Sequence, residues 1–498
     1  VKNAIIATVL LAILGCAVEG PASRGADRSP ASFPANGAVN VNPDAHLVLT
    51  FPSPPTIGAA GSVRIYDAAD HSLVDTLDLG IPVSPRPDGR GRWTPDPGDK
   101  SVYQIDVIGG VEFHFFPIIV HGNAATIYPH HRVLNYGREY VVRIDPGVLT
   151  TADGKLGGFR GEIEWRFTTK RSPPPADSRR VVVAADGSGD FNTVQGAIDF
   201  LPAKPARRVT IFIRNGDYEE IVFASGKSDV TIRGESRDGV RVHYRNNSAF
   251  NPSRGGPSRR PAFSIQEGRD IQLSQFTIEN HFVGQAEALL IRGERIVVDR
   301  MTLSGSGDAL TTYGTIYMVD SKLAGHGDTI LGYAALYCLR CEVSSIGPMT
   351  WTRTPQGSHG NVFVDSTLIG LDVPLPWTVT ATDPGRKTPS VFARLPRNSP
   401  GASAVNFPFA EMVLIDTRTQ GFSPEGWGPV EEEPAFDRSN VRFFEFNTMD
   451  LEGKPVDVSR RHEIVRQLRL PADAKVVADY RDPAFVLGGW TPVVQPSR

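Results

Sequence analysis

From residue 271 onward, apolar positions recur in blocks that fit one template, apolar-x-apolar-x-x-apolar-x-apolar. Six runs fall on it: "IQLSQFTI" (271–278), "IVVDRMTL" (296–303), "IYMVDSKL" (316–323), "LYCLRCEV" (336–343), "NVFVDSTL" (361–368) and "MVLIDTRT" (412–419). Their last residues are Ile278, Leu303, Leu323, Val343, Leu368 and Thr419, in steps of 25, 20, 20, 25 and then 51 residues, the last step carrying an insertion. Asn361, Ser321, Ser366, Thr417 and Thr419 are polar at nominally apolar positions. This period, with one or two short strands per repeat, predicts a stacked solenoid, because no coil can bury its inward face alone. A parallel β-helix fits best. A leucine-rich repeat is the nearest rival, but its Leu/Asn consensus is missing.

Upstream the pattern is different. Between residues 34 and 170 short alternating runs ("AHLVLTF", "SVRIYDA", "YQIDVIG", "EYVVRIDPG", "EIEWRFTT") are separated by turn residues. That spacing predicts a small all-β sandwich. The segment from "PANGAVNVNPDAHLVLTF" to "WRFTT" resembles bacterial Ig-like modules that precede exported enzymes. It carries no catalytic cluster and reads as a spacer or docking module. Residues 171–179, "RSPPPADSR", read as a stiff Pro-rich linker. The β-helix is then expected over 180–498.

At the start, "VKNAIIATVLLAILGC" sets one Lys before an apolar run that has the length of a signal-peptide core and is too short to span a bilayer. Its end, Ile13-Leu14-Gly15-Cys16, resembles a lipobox. Residues 1–16 are therefore expected to be a signal peptide, with Cys16 either acylated or part of a plain secretory signal. Residues 17–33 are a polar, Pro/Ser-rich tether. The expected location is exported: an outer-membrane lipoprotein, periplasmic or extracellular.

Charge removes some partners. The 498 residues carry 52 Lys+Arg against 55 Asp+Glu, a net charge of −3 without long runs of either sign. That gives no reason to expect a nucleic-acid partner, or any membrane contact beyond an anchor at Cys16. A monomer is expected. Apart from Cys16 the cysteines are Cys338 and Cys341, both on apolar positions of one repeat strand. They read as buried core thiols. No His/Cys cluster has zinc spacing. His359, alone in a repeat turn, reads as structural.

The repeat also duplicates a polar motif. "LSGSGDAL" (303–310) and "LAGHGDTI" (323–330) set Asp308 and Asp328 at one phase, 20 residues apart. In a parallel solenoid that spacing puts them on adjacent coils, about 4.8 Å apart. They are either turn residues of the repeat or two facing carboxylates, one protonated and one ionised, suited to hydrolysis. Leu310, Ile330 and Leu331 beside them predict that both aspartates lie in strands.

Six segments in order carry a resemblance: "VVVAADGSGDFNTVQGAIDFLP" (181–202), "RNGDYEE" (214–220), "GQAEALLI" (284–291), "GDALTT" (307–312), "GHGDTILG" (325–332) and "GFSPEGWGP" (421–429). Together with "DPAFVLGGW" they resemble the pectin methylesterase (pectinesterase) family, carbohydrate esterases on a right-handed parallel β-helix. The resemblance implies hydrolysis of pectin methyl esters without a metal or other cofactor. It implies Asp328 as nucleophile, Asp308 as acid and then base, and Gln285 as oxyanion donor. Arg394, in "VFARLP", would orient the nucleophile, with Arg397 a competitor.

Several positions depart from the family. Gly307 stands where a second glutamine is usual, so a donor is lost, or His326 or Thr312 replaces it. Thr311, Leu331 and Leu395-Pro396 replace aromatic or Pro-Trp positions. Tyr313, Tyr333, Trp351 and Trp377 are the candidates to rebuild a sugar platform, or else they are packing residues. These departures leave two rival readings: an esterase or thioesterase for another substrate, and a non-catalytic polysaccharide-binding protein. Ser321 stands where the family's disulfide partner is expected.

Overall fold

The computed structural model describes residues 30–90, 103–152, 163–394, 407–428 and 438–496. Cys16, the signal segment and most of the tether lie outside the described residues, as do Leu395, Pro396 and Arg397.

The repeat region is a parallel β-helix. One parallel sheet runs through Phe263–Ser274, Leu289–Asp299, Leu310–Val319, Ile330–Leu339, Asn361–Val364 and Glu411–Ile415. A second sheet runs through Thr277–Asn280, Thr302–Ser304, Lys322–His326, Glu342–Ile346, Thr367–Leu371 and Arg418–Gln420. The register follows the hydrophobic template residue for residue: Ile278 pairs with Leu303, Leu303 with Leu323, Leu323 with Val343, Val343 with Leu368, and Leu368 with Thr419.

The template's x-x step is a corner between the two sheets. One residue there takes a left-handed conformation in every coil: Gln275, Arg300, Asp320, Arg340, Asp365 and Asp416 have φ between 49° and 59°. A single residue of this kind turns the chain without breaking either ladder. The inward apolar residues stack into one core that contains Leu303, Leu323, Val343, Leu368, Cys338 and Cys341. The two cysteines are free and buried. Short helices pack at both ends. Val194–Phe200, capped by Thr193, covers the first coils, and Ala474–Arg481 packs on the outer face of the long sheet.

The N-terminal region forms two facing sheets. One holds Ala31–Phe33, Leu47–Thr50, Ala124–Ile127 and Ile118–His121; the other holds Ala38–Val41, Ile163–Thr169, Glu139–Ile144, Ser62–Asp67 and Leu73–Asp78. "YQIDVIG" departs from the sandwich expectation. Among the described residues its strand, Ile105–Ile108, pairs only with Val111–His114, and this hairpin leans on the β-helix through Phe113 and Phe223.

The sandwich is no loose spacer, because its buried residues are continuous with the β-helix core. Asp44 accepts bonds from the backbone N–H groups of Asn192 and Thr193, and His131 pairs with Asp199. Buried polar groups satisfied across a boundary fix two units in one arrangement.

Candidate active site

Asp308 and Asp328 lie on adjacent coils at one phase, each two residues before the paired residues Leu310 and Ile330. They are not in strands, as the neighbouring apolar residues had led us to expect. Both occupy corners between strands, in left-handed conformation with φ of 64° and 50°. Aspartate tolerates that conformation. The corner lifts the carboxylates off the sheet while the flanking leucine and isoleucine stay in the core.

Arg394 follows the strand Val391–Ala393, which pairs with Pro348–Thr352, and its Nη1 lies 2.7 Å from Asp328 Oδ2. Trp351 supports that guanidinium, with Arg394 3.9 Å and Arg353 3.6 Å from its ring centre. Trp351 is buried under these charges. It therefore holds the arginines rather than offering a face to a sugar. Asp328 Oδ1 is buried and has no hydrogen-bond partner among the described residues.

Burial pushes the Asp328 carboxyl up to about 6, against the pull of Arg394 and with the push of Asp308. Burial likewise raises Asp308, opposed by Arg260, Arg353 and Arg394. Burial therefore lifts both carboxyls above the ordinary aspartate range, and each guanidinium beside them opposes the rise.

Gln285 lies on the preceding coil beside Gly307, with its carbonyl accepting from Ser248 and its side chain exposed. Gly307 is a steric requirement of this backbone: at φ +38°, a Cβ there would sit 2.3 Å from the Gly284 carbonyl oxygen. Thr312 cannot replace the missing glutamine. It is fully buried, on the strand face that carries Leu310 and Ile316 into the core. His326 is closer to the site, with Nδ1 bonded to Ser306 Oγ and a pKa lowered by burial.

Tyr313 and Tyr333 stack face to face, 4.6 Å between centres and 7° between planes. Arg292 lies 4.2 Å over Tyr313, and Arg353 bonds the Tyr333 hydroxyl. The in-register ladder thus exposes a half-buried aromatic and cationic edge beside the aspartates. Trp377 is 44% exposed, and the Cβ position of Gly327 lies 3.0 Å from its ring. It is an open apolar surface next to Asp328. His359 is structural: its Nδ1 bonds the buried Glu411.

Two residues of the site escaped the sequence reading. Glu287 lies two residues before Leu289, which pairs with Leu310, so it is a third carboxylate in phase with Asp308 and Asp328. The signal was available in Glu287-Ala288-Leu289, Asp308-Ala309-Leu310 and Asp328-Thr329-Ile330. It was hidden because the strand ends used as anchors are 25 residues apart there, whereas the strand starts are 21 apart. Arg260 is the other. It comes from the irregular segment after Val240–Tyr244, where no period guides an alignment. Its Nε lies 2.7 Å from Glu287 Oε1 and its Nη2 3.1 Å from Asp308 Oδ2.

Comparison with known proteins places this site in context. The pectinesterase family model matches residues 180–362. "Probable pectinesterase 30" of Arabidopsis thaliana is 31% identical over 136 residues, 27% of this chain and 27% of that protein. "Pectinesterase QRT1" of the same plant is 32% identical over 176 residues, 32% of this chain and 46% of that protein. The chain thus spans less than half the length of these curated relatives. Among solved structures, pectin methylesterase PemA from Erwinia chrysanthemi matches at 22% identity, over 63% of this chain and 98% of that one, with a TM-score of 0.49. The carrot pectin methylesterase matches at 20% identity, over 65% and 95%, with the same TM-score.

Proposed function

We propose that this chain, whose residues 180–362 match the pectinesterase family model, hydrolyses methyl esters of pectin through an aspartyl acyl-enzyme. The observation that carries the reading is the ion pair between Arg394 and Asp328, with Asp308 at the same phase one coil away. Arg394 engages Oδ2, and Oδ1, which has no hydrogen-bond partner among the described residues, is the oxygen that attacks the ester carbonyl carbon.

As the bond from that carbon to the methoxy oxygen breaks, protonated Asp308 gives its proton to the oxygen and methanol leaves. The acyl group is then held as an anhydride with Asp328. Asp308, now ionised, takes a proton from water while the water oxygen attacks the same carbonyl. The products are a galacturonate carboxyl, free Asp328 and reprotonated Asp308. One ester and one water have become one acid and one methanol. Gln285, beside Gly307, is the candidate donor to the developing oxyanion. The Tyr313–Tyr333 stack and Trp377 supply aromatic surface for sugar rings.

Methanol release from highly methylated pectin, by wild type and by Asp328→Ala, tests the assignment. Release by wild type that is lost in the variant supports it. No methanol from wild type, with turnover of an acyl thioester or an acetylated glycan, overturns the substrate. Equal background from both proteins together with retained polysaccharide binding overturns the catalysis. Export with acylation at Cys16 belongs to the same reading, and fatty-acid labelling that persists in Cys16→Ser would refute the anchor.

A further inference from the structure

Asp308 has a problem that Asp328 does not. A general acid must hold a proton when the leaving group departs, yet Asp308 touches a guanidinium, which favours the ionised form. Arg260 donates to Asp308 through Nη2, and the same guanidinium donates through Nε to Glu287, a side chain with no exposed surface. Thr311 Oγ1 adds a third contact, 3.3 Å from Glu287 Oε1, and Glu287 Oε2 is buried without a partner among the described residues.

The pair is held in place by more than itself. The Asn280 side-chain amide bonds the carbonyls of Arg260 and Glu287, and Asn246 bonds those of Arg259 and Pro261. The separate hairpin of Ile105–Ile108 and Val111–His114 fixes the same segment from the other side: Arg259 Nη1 donates to the Glu112 carbonyl, and Arg254 pairs with the Glu112 carboxylate. A half-buried arginine bonded by Glu287, Asp308 and Asn280, with both chain neighbours fixed as well, is a built feature and cannot be a stray surface charge.

We propose that Arg260 and Glu287 form the positioning pair of Asp308, Arg260 fixing the carboxyl and Glu287 drawing off part of the guanidinium's charge. The proposal rests on the reading of Asp308 as acid/base. It gives a role to a buried glutamate that the two-aspartate mechanism leaves idle. Burial raises the Glu287 carboxyl to about 7, opposed by Arg260 and reinforced by Asp308. The other charged or titratable groups that bear on this trio are Asp328, Arg353, Arg394 and Tyr313. None of them is altered by the test.

The test is the pH profile of kcat/KM for methanol release by wild type, Glu287→Gln, Arg260→Met and the double variant. In parallel, the carbon-13 carboxyl signal of Asp308 is titrated by NMR in the same proteins. Glutamine keeps the shape and an acceptor for Arg260. Glu287→Gln should move the alkaline limb, where Asp308 loses its proton, down by about one pH unit, with KM within about twofold. Arg260→Met should move it up and lower kcat by about 10- to 100-fold. The double variant should show no further effect of Glu287→Gln. A limb and an Asp308 signal that both stay put in folded Glu287→Gln would overturn the proposal. So would a uniform loss of rate at all pH values. If wild type releases no methanol, the esterase reading has failed, while the Asp308 titration still decides whether the pair acts on it.

Discussion

Replacing Arg394 by methionine should convert a modest acid limb into a severe one. In the wild type, Asp328 titrates near 6, because burial raises it and Arg394 holds it down. The guanidinium contact is 2.7 Å, with side chains 21% and 18% exposed. A pair about 4 Å apart between charge centres interacts by about 4 kcal/mol at an effective dielectric of about 20. At about 1.4 kcal/mol per pKa unit, that is a ceiling of roughly three units. Arg353 also attracts Asp328 and stays in place, and partial exposure screens the rest. A rise of about one to two units is therefore expected. The nucleophile of Arg394→Met should titrate between about 7 and 8, so that at pH 6 its ionised fraction falls about 5- to 50-fold. Loss of orientation should remove about another tenfold at every pH. The assay is initial-rate methanol release against pH, from about 4 to 9, with thermal unfolding to establish that the variant is folded. An acid limb that coincides with wild type in a folded variant would refute the reasoning, since Arg394 would then not act on Asp328's proton equilibrium at all.

The other predictions concern stability and binding. The folded-state pKa of Asp328 is raised above its unfolded value, so the stability this group contributes is full below about pH 4 and is lost as pH rises through about 6, by at most about 3 kcal/mol. Asp328→Asn should accordingly melt with wild type at pH 4 and at a higher temperature at pH 8; coincident melts at pH 8 would contradict it. Gly307→Ala should cost about 1–3 kcal/mol, through both the positive φ and the 2.3 Å approach to the Gly284 carbonyl, and unfolding in urea measures it. Gly307→Gln should therefore lose activity rather than restore a family donor. Trp377→Ala should raise KM on long pectin by about 2- to 10-fold with kcat unchanged, and a fall in kcat at constant KM would place Trp377 in the chemistry.

What could be read from the sequence, and what could not, follows from which interactions repeat. Stacked coils impose the same inward positions on every turn, so an unaligned sequence was enough to pair Leu303 with Leu323 and Leu323 with Val343. The relative phase of Asp308 and Asp328 came with that register. Arg394 could be placed only through the resemblance, because it arrives from an insertion outside the period. Arg260 was out of reach, since an irregular segment and a hairpin outside the repeat decide where it goes. The misplacement of the aspartates has a local cause. The apolar neighbours predict strands for the aspartates, but two consecutive left-handed residues, Gly307-Asp308 and Gly327-Asp328, make a corner just before the buried Leu310 and Ile330. The N-terminal region, which carries no catalytic cluster, reads from the sequence as a spacer or docking module, and the hairpin of Ile105–Ile108 and Val111–His114 holds the segment that delivers Arg260. Glu287 sharpens the same point. It was legible as the first of three acid-small-aliphatic triplets, yet it is missed when coils are aligned only at their ends. The extra residues of that coil lie before Leu289, so from Leu289 to Leu310 to Ile330 the strand starts advance by 21 and 20 residues and carry the three carboxylates in phase.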